Sequence, residues 1–228
     1  MTPQFLIIDA DDTLWENNIY FERAFEEFVD FLAHSTLSPA QVRDVLDEIE
    51  MVNARIHGYG SLNFGRNLAE TYRHLVEREV REQDVRTVMS FAARILERPM
   101  EVIDGVAATL EYLAARHDLT LFTKGHPDEQ TMKIERSGLR PWFAHTAIVK
   151  EKDATAYRAL VAERGMDPAR TWMIGNSPKS DINPALEAGL NAVFIPHAHT
   201  WVLEKQEIVP GAGRLETLAS FADLRRIF

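Results

Sequence analysis

The 228-residue chain contains no cysteine. This absence excludes disulfides, zinc sites built on thiolates and thiol nucleophiles. The chain also lacks an apolar run long enough to span a membrane, and its N-terminal segment lacks the basic stretch followed by an apolar run that is typical of a signal peptide. We therefore expect a cytoplasmic protein with no membrane partner.

Positive charge is also in short supply. Lys and Arg number 25 against 35 Asp and Glu, which gives a formal net charge of −10. Such a chain repels phosphate backbones, so we expect no nucleic-acid partner. Hydrophobic residues make up 46% of the chain and charged residues 26%, values that are ordinary for a folded globular protein. The length suits one domain, or one domain that carries a smaller insertion.

The pattern of apolar residues divides the chain into two kinds of sequence. Phe5 to Ile8 has the character of a buried strand, whereas residues 15–98 show only helical periodicity. Within that block, Ser38 and Gln41 predict a capping box at a helix start, and "HGYGS" predicts a break between two helices. Beyond the block, short apolar strands alternate with helices, and the strands are predicted at 119–123, 145–149, 171–175 and 191–195.

Strands that are separated by helices predict parallel βαβ units with right-handed crossovers. Because these strands are apolar without polar alternation, we expect the sheet to be covered on both faces. The predicted fold class is therefore α/β, with a doubly wound, Rossmann-like parallel sheet and an all-helical domain inserted after the first strand. We assign residues 1–14 and 99–228 to the α/β core and residues 15–98 to the helical cap.

Polar residues follow the predicted strands, at the edge where open parallel sheets bind ligands. The first strand runs into "DADDT", and later strands run into "TKG", "KEKD" and "GNSPKSD". Alternate residues of an extended segment point the same way, so Asp9 and Asp11 can face one site while Asp12 points away. Oxygen ligands suit Mg²⁺, and a lysine with a hydroxyl suits phosphoryl oxygens. The sequence therefore predicts a magnesium-dependent phosphoryl-transfer site.

These motifs, in this order, resemble those of the haloacid dehalogenase superfamily of aspartate-nucleophile hydrolases. The family's Asp-x-Asp-x-Thr motif is matched by "IIDADDTLW", and the Ser/Thr after its second strand by Thr123 in "LFTKG". The motif lysine is matched by Lys152, whose distance to the following helix face suits the pattern better than that of Lys150. The fourth motif is matched by "GNSPKSD", where Asn176 replaces the first carboxylate. The helical block has the position and character of the family's C1-type cap.

The resemblance implies a role for each matched residue. Asp9 would attack phosphorus and form an aspartyl-phosphate, and Asp11 would act as the general acid and base. The implied substrate-binding residues are Thr123, Lys124, Gly125 and Lys152. The implied ligands of Mg²⁺ are Asp9, Asp11 through its backbone carbonyl, Asn176 and Asp181. Because an amide oxygen carries no negative charge, Asn176 should bind the metal more weakly than an Asp would.

Three functional readings remain open on the sequence. The first is a phosphatase that acts on a small phosphorylated metabolite, as a monomer or a homodimer. The second is a 2-haloacid dehalogenase or a phosphonate-cleaving relative with the same nucleophile. In the family, dehalogenases keep no acid at the position of Asp11, because a halide leaves without a proton, and this favours the phosphatase. The third is a non-hydrolytic phospho-acceptor module.

Two further features near the site have weaker signals. His197 and His199 alternate in "PHAHTW" after the last predicted strand, but the sequence offers no evident third ligand for a transition metal. Asp12 has no implied catalytic role, and we expect it to hold the turn that leads into the helical block.

Overall fold

The computed structural model describes residues 2–228 and divides into two compact units. The α/β unit comprises the residues up to Asn18 together with Met100–Phe228, and the helical unit comprises Ile19–Pro99. The sequence-based boundaries lie at 14/15 and 98/99. The first boundary falls later in the structure because the carboxylate of Asp12 accepts hydrogen bonds from the backbone N–H groups of Asn17 and Asn18, which holds this segment to the α/β unit.

The helical unit contains four α-helices and a final 3₁₀ turn. They are α1 (Asn18–Leu32), α2 (Pro39–His57), α3 (Ser61–Leu75), α4 (Glu82–Ala93) and the 3₁₀ turn Arg94–Glu97. The predicted capping box is confirmed, because Ser38 and Gln41 exchange hydrogen bonds at the start of α2. The predicted break after His57 is also confirmed, with Gly58 and Gly60 at φ values of 76° and 115°. None of the helices over residues 2–228 is long and apolar enough to cross a membrane.

The α/β unit is built on a six-stranded parallel sheet with the strand order β3-β2-β1-β4-β5-β6. The strands are β1 (Phe5–Ile8), β2 (Asp118–Lys124), β3 (His145–Val149), β4 (Thr171–Gly175), β5 (Asn191–Phe194) and β6 (Leu215–Thr217). The first five were predicted to within a residue at each end. The sixth was missed because its residues are exposed and carry no apolar pattern.

Helices cover both faces of the sheet, as predicted. They are α5 (Val106–Ala114), α6 (Pro127–Ser137), α7 (Ala154–Arg164) and α8 (Asn183–Glu187). The alternation along β1 shows the two faces directly, because Leu6 and Ile8 belong to one apolar core whereas Ile7 belongs to another. Burial on both sides explains why this strand is apolar at every position.

A short antiparallel pairing closes the point where the helical unit is inserted. The N–H of Glu16 donates to the carbonyl of Glu101 at 2.9 Å, and the N–H of Ile103 donates to the carbonyl of Leu14 at 3.0 Å. We call the two paired segments, residues 14–16 and 101–103, the linker ribbon. The ribbon lies within the α/β unit and brings together chain positions that are more than 80 residues apart in sequence.

Candidate active site

The candidate site lies at the carboxyl end of the central strands. β1 is a central strand that pairs with β2 on one side and with β4 on the other. Later strands are added on both sides of β1, so its carboxyl end is the point where the strand order changes direction. Ligands of doubly wound sheets bind at this point, beyond the carboxyl ends of the strands. Asp9 directly follows β1, and its backbone N–H donates to the carbonyl of Ile174 in β4 at 2.9 Å, which fixes its place at the edge.

Lys152 joins two buried carboxylates at this edge. Its Nζ atom lies 2.5 Å from Oδ1 of Asp9 and 2.7 Å from Oδ1 of Asp181. Burial alone would favour the neutral amine, but the charges of Asp181 and Asp9 outweigh it and raise the pKa of Lys152 above its ordinary value. Lys152, which matches the motif lysine, is therefore buried between two carboxylates, whereas Lys150 is exposed to solvent.

Thr13 and Asn176 lie on the other oxygen of the Asp9 carboxylate. The Thr13 hydroxyl lies 2.9 Å from Oδ2 of Asp9 and 3.3 Å from Oδ1 of Asn176. The Nδ2 group of Asn176 donates to the hydroxyl of Thr200 at 3.0 Å, which assigns the amide orientation. The amide oxygen therefore faces the Asp9 side, as a ligand of a shared cation would.

The loop after β4 holds Asp181 tightly. Its Oδ2 atom accepts the backbone N–H of Ser177 at 2.9 Å, while its Oδ1 atom is bound by Lys152. Burial and the nearby charge of Asp9 raise the pKa of Asp181, and Lys152 opposes this change. A Cβ atom at Gly175 would lie 2.2 Å from Oδ2 of Asp181, so the motif requires glycine there for a reason of space.

Asp11 contacts a different set of side chains from Asp9. Its carboxylate accepts the indole N–H of Trp15 at 2.7 Å, the amide Nε2 of Gln130 at 3.1 Å and the ammonium of Lys133 at 3.0 and 3.1 Å. Gln130 also donates to the hydroxyl of Thr123 at 2.6 Å. Asp11 and Thr123, two of the implied site residues, are thus joined through α6.

Sequence reasoning missed Gln130 and Lys133. The residues lie at i and i+3 on α6, and both are buried although they are polar. The spacing places both side chains on one face of α6, but their burial depends on how that helix packs and is not visible in the sequence. Asp11 therefore forms an ion pair with Lys133, whereas Lys152 forms ion pairs with Asp9 and Asp181.

Lys124 and Gly125 were expected to bind substrate, and this remains a prediction. The Nζ atom of Lys124 donates to Glu204 at 2.6 Å and to Ser180 at 2.8 Å. Burial by itself would raise the pKa of Glu204, but the Lys124 ammonium and the hydrogen bonds outweigh burial and lower the pKa below its ordinary value. Gly125 has a φ of 147°, and a Cβ there would lie 3.0 Å from the side chain of Gln130. These contacts tie the end of β2 to the neighbouring loops.

His197 lies in a group of three side chains that could hold a metal ion, and among the described residues 2–228 this group does not include His199. Asp12, Glu16 and His197 place one ligand atom each within 4.8 Å of one another. The Nε2 atom of His197 lies 3.3 Å from Glu16, and Nδ1 lies 3.7 Å from Asp12. Burial raises the pKa of Asp12 to about 7. Asp12 does hold the turn toward the helical unit, as predicted, by accepting the two backbone N–H groups described above.

Residues 4–189 match the family of haloacid dehalogenase-like hydrolases. The chain belongs to this family. A haloacid dehalogenase-like family hydrolase from Xanthomonas campestris superimposes with a TM-score of 0.80 at 29% identity, over 99% of this chain and 94% of its own. L-2-haloacid dehalogenase from Xanthobacter autotrophicus superimposes with a TM-score of 0.66 at 15% identity, over 99% of this chain and 98% of its own, which shows a shared fold.

A curated relative has a name that differs from that of the dehalogenase. Phosphoserine phosphatase from Thermus thermophilus is 30% identical over 82 residues, which cover 34% of this chain and 33% of the relative. The chain thus matches only about a third of the length of that protein. Membership of the family shows that the chain is an enzyme and a hydrolase.

Proposed function

We propose that the chain is a Mg²⁺-dependent phosphatase that hydrolyses a small phosphomonoester through an aspartyl-phosphate on Asp9. The observation that carries the proposal is the pairing of the buried Asp9 carboxylate with Lys152 at the end of β1. This ammonium neutralises a carboxylate that must approach a phosphoryl anion. The relative named as a phosphoserine phosphatase supports the same reaction class.

The proposed reaction has two displacements at phosphorus. In the first, an oxygen of Asp9 forms a bond to phosphorus, the ester P–O bond breaks, and the leaving oxygen becomes an alcohol by taking the proton of Asp11, which starts as the carboxylic acid and is left as the carboxylate. In the second, water forms a bond to phosphorus and gives a proton to Asp11, while the bond between phosphorus and Asp9 breaks. Inorganic phosphate leaves, and both side chains return to their starting states.

Asp11 favours an oxygen leaving group over a halide. An alkoxide is a poor leaving group unless it is protonated, whereas a halide leaves as a stable anion. The carboxylate of Asp11 is joined to Thr123 through Gln130, beside the place where a phosphoryl oxygen would be bound. This placement supports an ester hydrolase, whose leaving oxygen needs a proton.

The residues around Asp9 fit Mg²⁺, which prefers oxygen donors. Asp9 and Asn176 each direct an oxygen toward the Thr13 hydroxyl, so the two candidate ligand atoms converge on one small region. Asp9, the backbone carbonyl of Asp11, Asn176 and Asp181 would hold the ion. When bound, Mg²⁺ would supply positive charge that stabilises the phosphoryl oxygens.

A panel of small phosphomonoesters, assayed with Mg²⁺ and with EDTA, tests the proposal. We expect turnover that requires Mg²⁺ and falls below detection in Asp9→Asn, a variant that keeps the side-chain shape but removes the nucleophile. Mass spectrometry of rapidly quenched wild-type protein should find one added phosphoryl group on the peptide that contains Asp9. Because Asp181 still pairs with Lys152 in the variant, we expect its circular dichroism to match the wild type.

Other outcomes would support the alternatives. Release of halide from 2-haloacids without phosphatase turnover would support a dehalogenase, and release of phosphate from phosphonates alone would support a phosphonate-cleaving enzyme. A stable adduct on Asp9 that does not turn over would support a phospho-acceptor module. Each of these results contradicts the proposed phosphatase.

A further inference from the structure

The ammonium of Lys133 lies among oxygen acceptors within the α/β unit, and the Glu129 carboxylate is a further neighbour at 3.7 Å. Its Nζ atom lies 3.0 and 3.1 Å from the two oxygens of Asp11 and 2.8 Å from Oδ1 of Asn17. The side chain is 8% exposed, so the charge is largely removed from water. Burying an ammonium is unfavourable unless its partners are held in place, which makes this contact a fixed one.

Gln130 makes a second fixed contact with Asp11. Its Nε2 group has two hydrogens, and they are directed at Oδ2 of Asp11 and at Oγ1 of Thr123. Since the Thr123 oxygen accepts this bond, the Thr123 hydroxyl hydrogen remains available to a different acceptor. A bound phosphoryl oxygen is such an acceptor. Gln130 is 2% exposed, and a Cβ at the neighbouring Gly125 would lie 3.0 Å from its side chain, so the glycine leaves the space that Gln130 occupies.

We propose that Lys133 and Gln130 are positioning residues that fix the Asp11 carboxyl group where it exchanges a proton with the leaving oxygen and with the attacking water. They contact neither Asp9 nor Lys152 in the hydrogen bonds described above, so their effect reaches the reaction through Asp11 and Thr123. This inference rests on the proposed phosphatase function. It gives the two buried polar side chains of α6 a role in the protonation of the leaving group.

A leaving-group comparison separates this role from a general structural one. Nitrophenolate leaves without a proton, whereas an alkoxide needs one, so a misplaced Asp11 should slow an alkyl ester more than an aryl ester. We expect Lys133→Met to lower kcat/KM for glycerol phosphate at least tenfold more than for 4-nitrophenyl phosphate. Gln130→Met removes the amide with no change of charge and should act in the same direction, which covers the case in which Lys133→Met does not fold.

Two controls complete the experiment. Lys205→Met makes the same chemical change at an exposed position and should leave both substrates unaffected. In an Asp11→Asn background, Lys133→Met should produce no further difference between the two substrates, because the group that it positions is gone. Lys133→Arg, which keeps the charge, should recover part of the lost alkyl-ester activity.

The results distinguish this inference from the proposed function. If wild-type protein hydrolyses both esters in an Asp9-dependent manner but both variants slow them equally, the positioning role is wrong and the phosphatase stands. A persistent difference in the Asp11→Asn background would also overturn the positioning role. If wild-type protein hydrolyses no phosphomonoester of the panel, the phosphatase is refuted, and the positioning role is refuted with it.

Discussion

Replacing Glu50 with glutamine should stabilise the helical unit at alkaline pH. Glu50 continues the buried face of α2 that Val42 and Leu46 begin, and it is 6% exposed. Asn67 hydrogen-bonds its side chain, but Oε2 has no hydrogen-bond partner among the described residues 2–228. Burial raises the pKa of Glu50 from 4.5 to about 8. The folded helical unit therefore favours the protonated acid, whereas the unfolded chain ionises near 4.5.

The sign of the pH effect follows from this difference. Between pH 4.5 and about 8 the unfolded chain loses the Glu50 proton while the folded unit keeps it, so unfolding becomes easier as pH rises. Each pH unit in this window lowers the free energy of unfolding by about 1.4 kcal/mol. Over the whole window the free energy of unfolding therefore falls by at most roughly 5 kcal/mol. Glutamine does not titrate, so Glu50→Gln should lack this loss. We expect a difference of about 2–5 kcal/mol from the wild type at pH 9, and a small difference at pH 5.

The measurement must report on the helical unit by itself. The chain has four tryptophans, and all of them, at 15, 142, 172 and 201, lie outside residues 19–99, so their fluorescence reports on the α/β unit. Hydrogen exchange of the α2 and α3 amides, followed by mass spectrometry and corrected for intrinsic rates, gives the local opening free energy. It should be recorded from pH 5 to pH 9 for wild type and variant.

Glu48→Gln is the matched control, because Glu48 lies on the same helix but is exposed. That variant should keep the wild-type pH dependence. Equal opening free energies of wild type and Glu50→Gln at pH 9, or a wild-type unit that gains stability on going from pH 5 to pH 9, would show that Glu50 is ionised at little cost. The argument from burial would then be wrong.

Three further predictions concern the α/β unit. Lys152→Met should abolish turnover and lower the free energy of unfolding by about 3–5 kcal/mol, because it leaves Asp9 and Asp181 buried without their shared cation. Urea titrations at neutral pH measure this loss, and an unchanged midpoint would contradict the ion pairing. Asn176→Asp should tighten Mg²⁺ binding by calorimetry, because it adds a negative ligand, and unchanged affinity would remove Asn176 from the metal site. Asp12→Gly should keep kcat within about tenfold, since glycine accepts the φ of 60° found there, and a larger loss would give Asp12 a catalytic role.

The parts of the fold that follow local rules were predictable from sequence. Five strands were found because buried parallel strands are short apolar runs bounded by turns, and the start of α2 was found because Ser38 and Gln41 form a local motif. β6 was not found, because its three residues are exposed and its place depends on pairing with β5. Pairing of that kind is decided by tertiary structure.

The same division applies to the site. Asp9, Thr123 and Lys152 could be proposed because each follows or ends a predicted strand at the same edge of the sheet. Lys133 could not, because it lies in the second turn of α6, and its reach to Asp11 depends on how that helix packs. Glu204 was missed for a related reason, since its partner Lys124 lies 80 residues earlier.

The linker ribbon bears on how the chain folds. β1 and β2 are neighbours in the sheet, yet the whole helical unit lies between them in sequence, which makes their pairing a costly loop closure for an unstructured chain. Because residues 19–99 are continuous, the helical unit can fold first and shorten that loop. The ribbon then joins the two ends of the insertion within a few residues of Leu14 and Ile103. A different helical unit with similarly spaced ends could therefore replace this one while β1 and α5 keep their sequences.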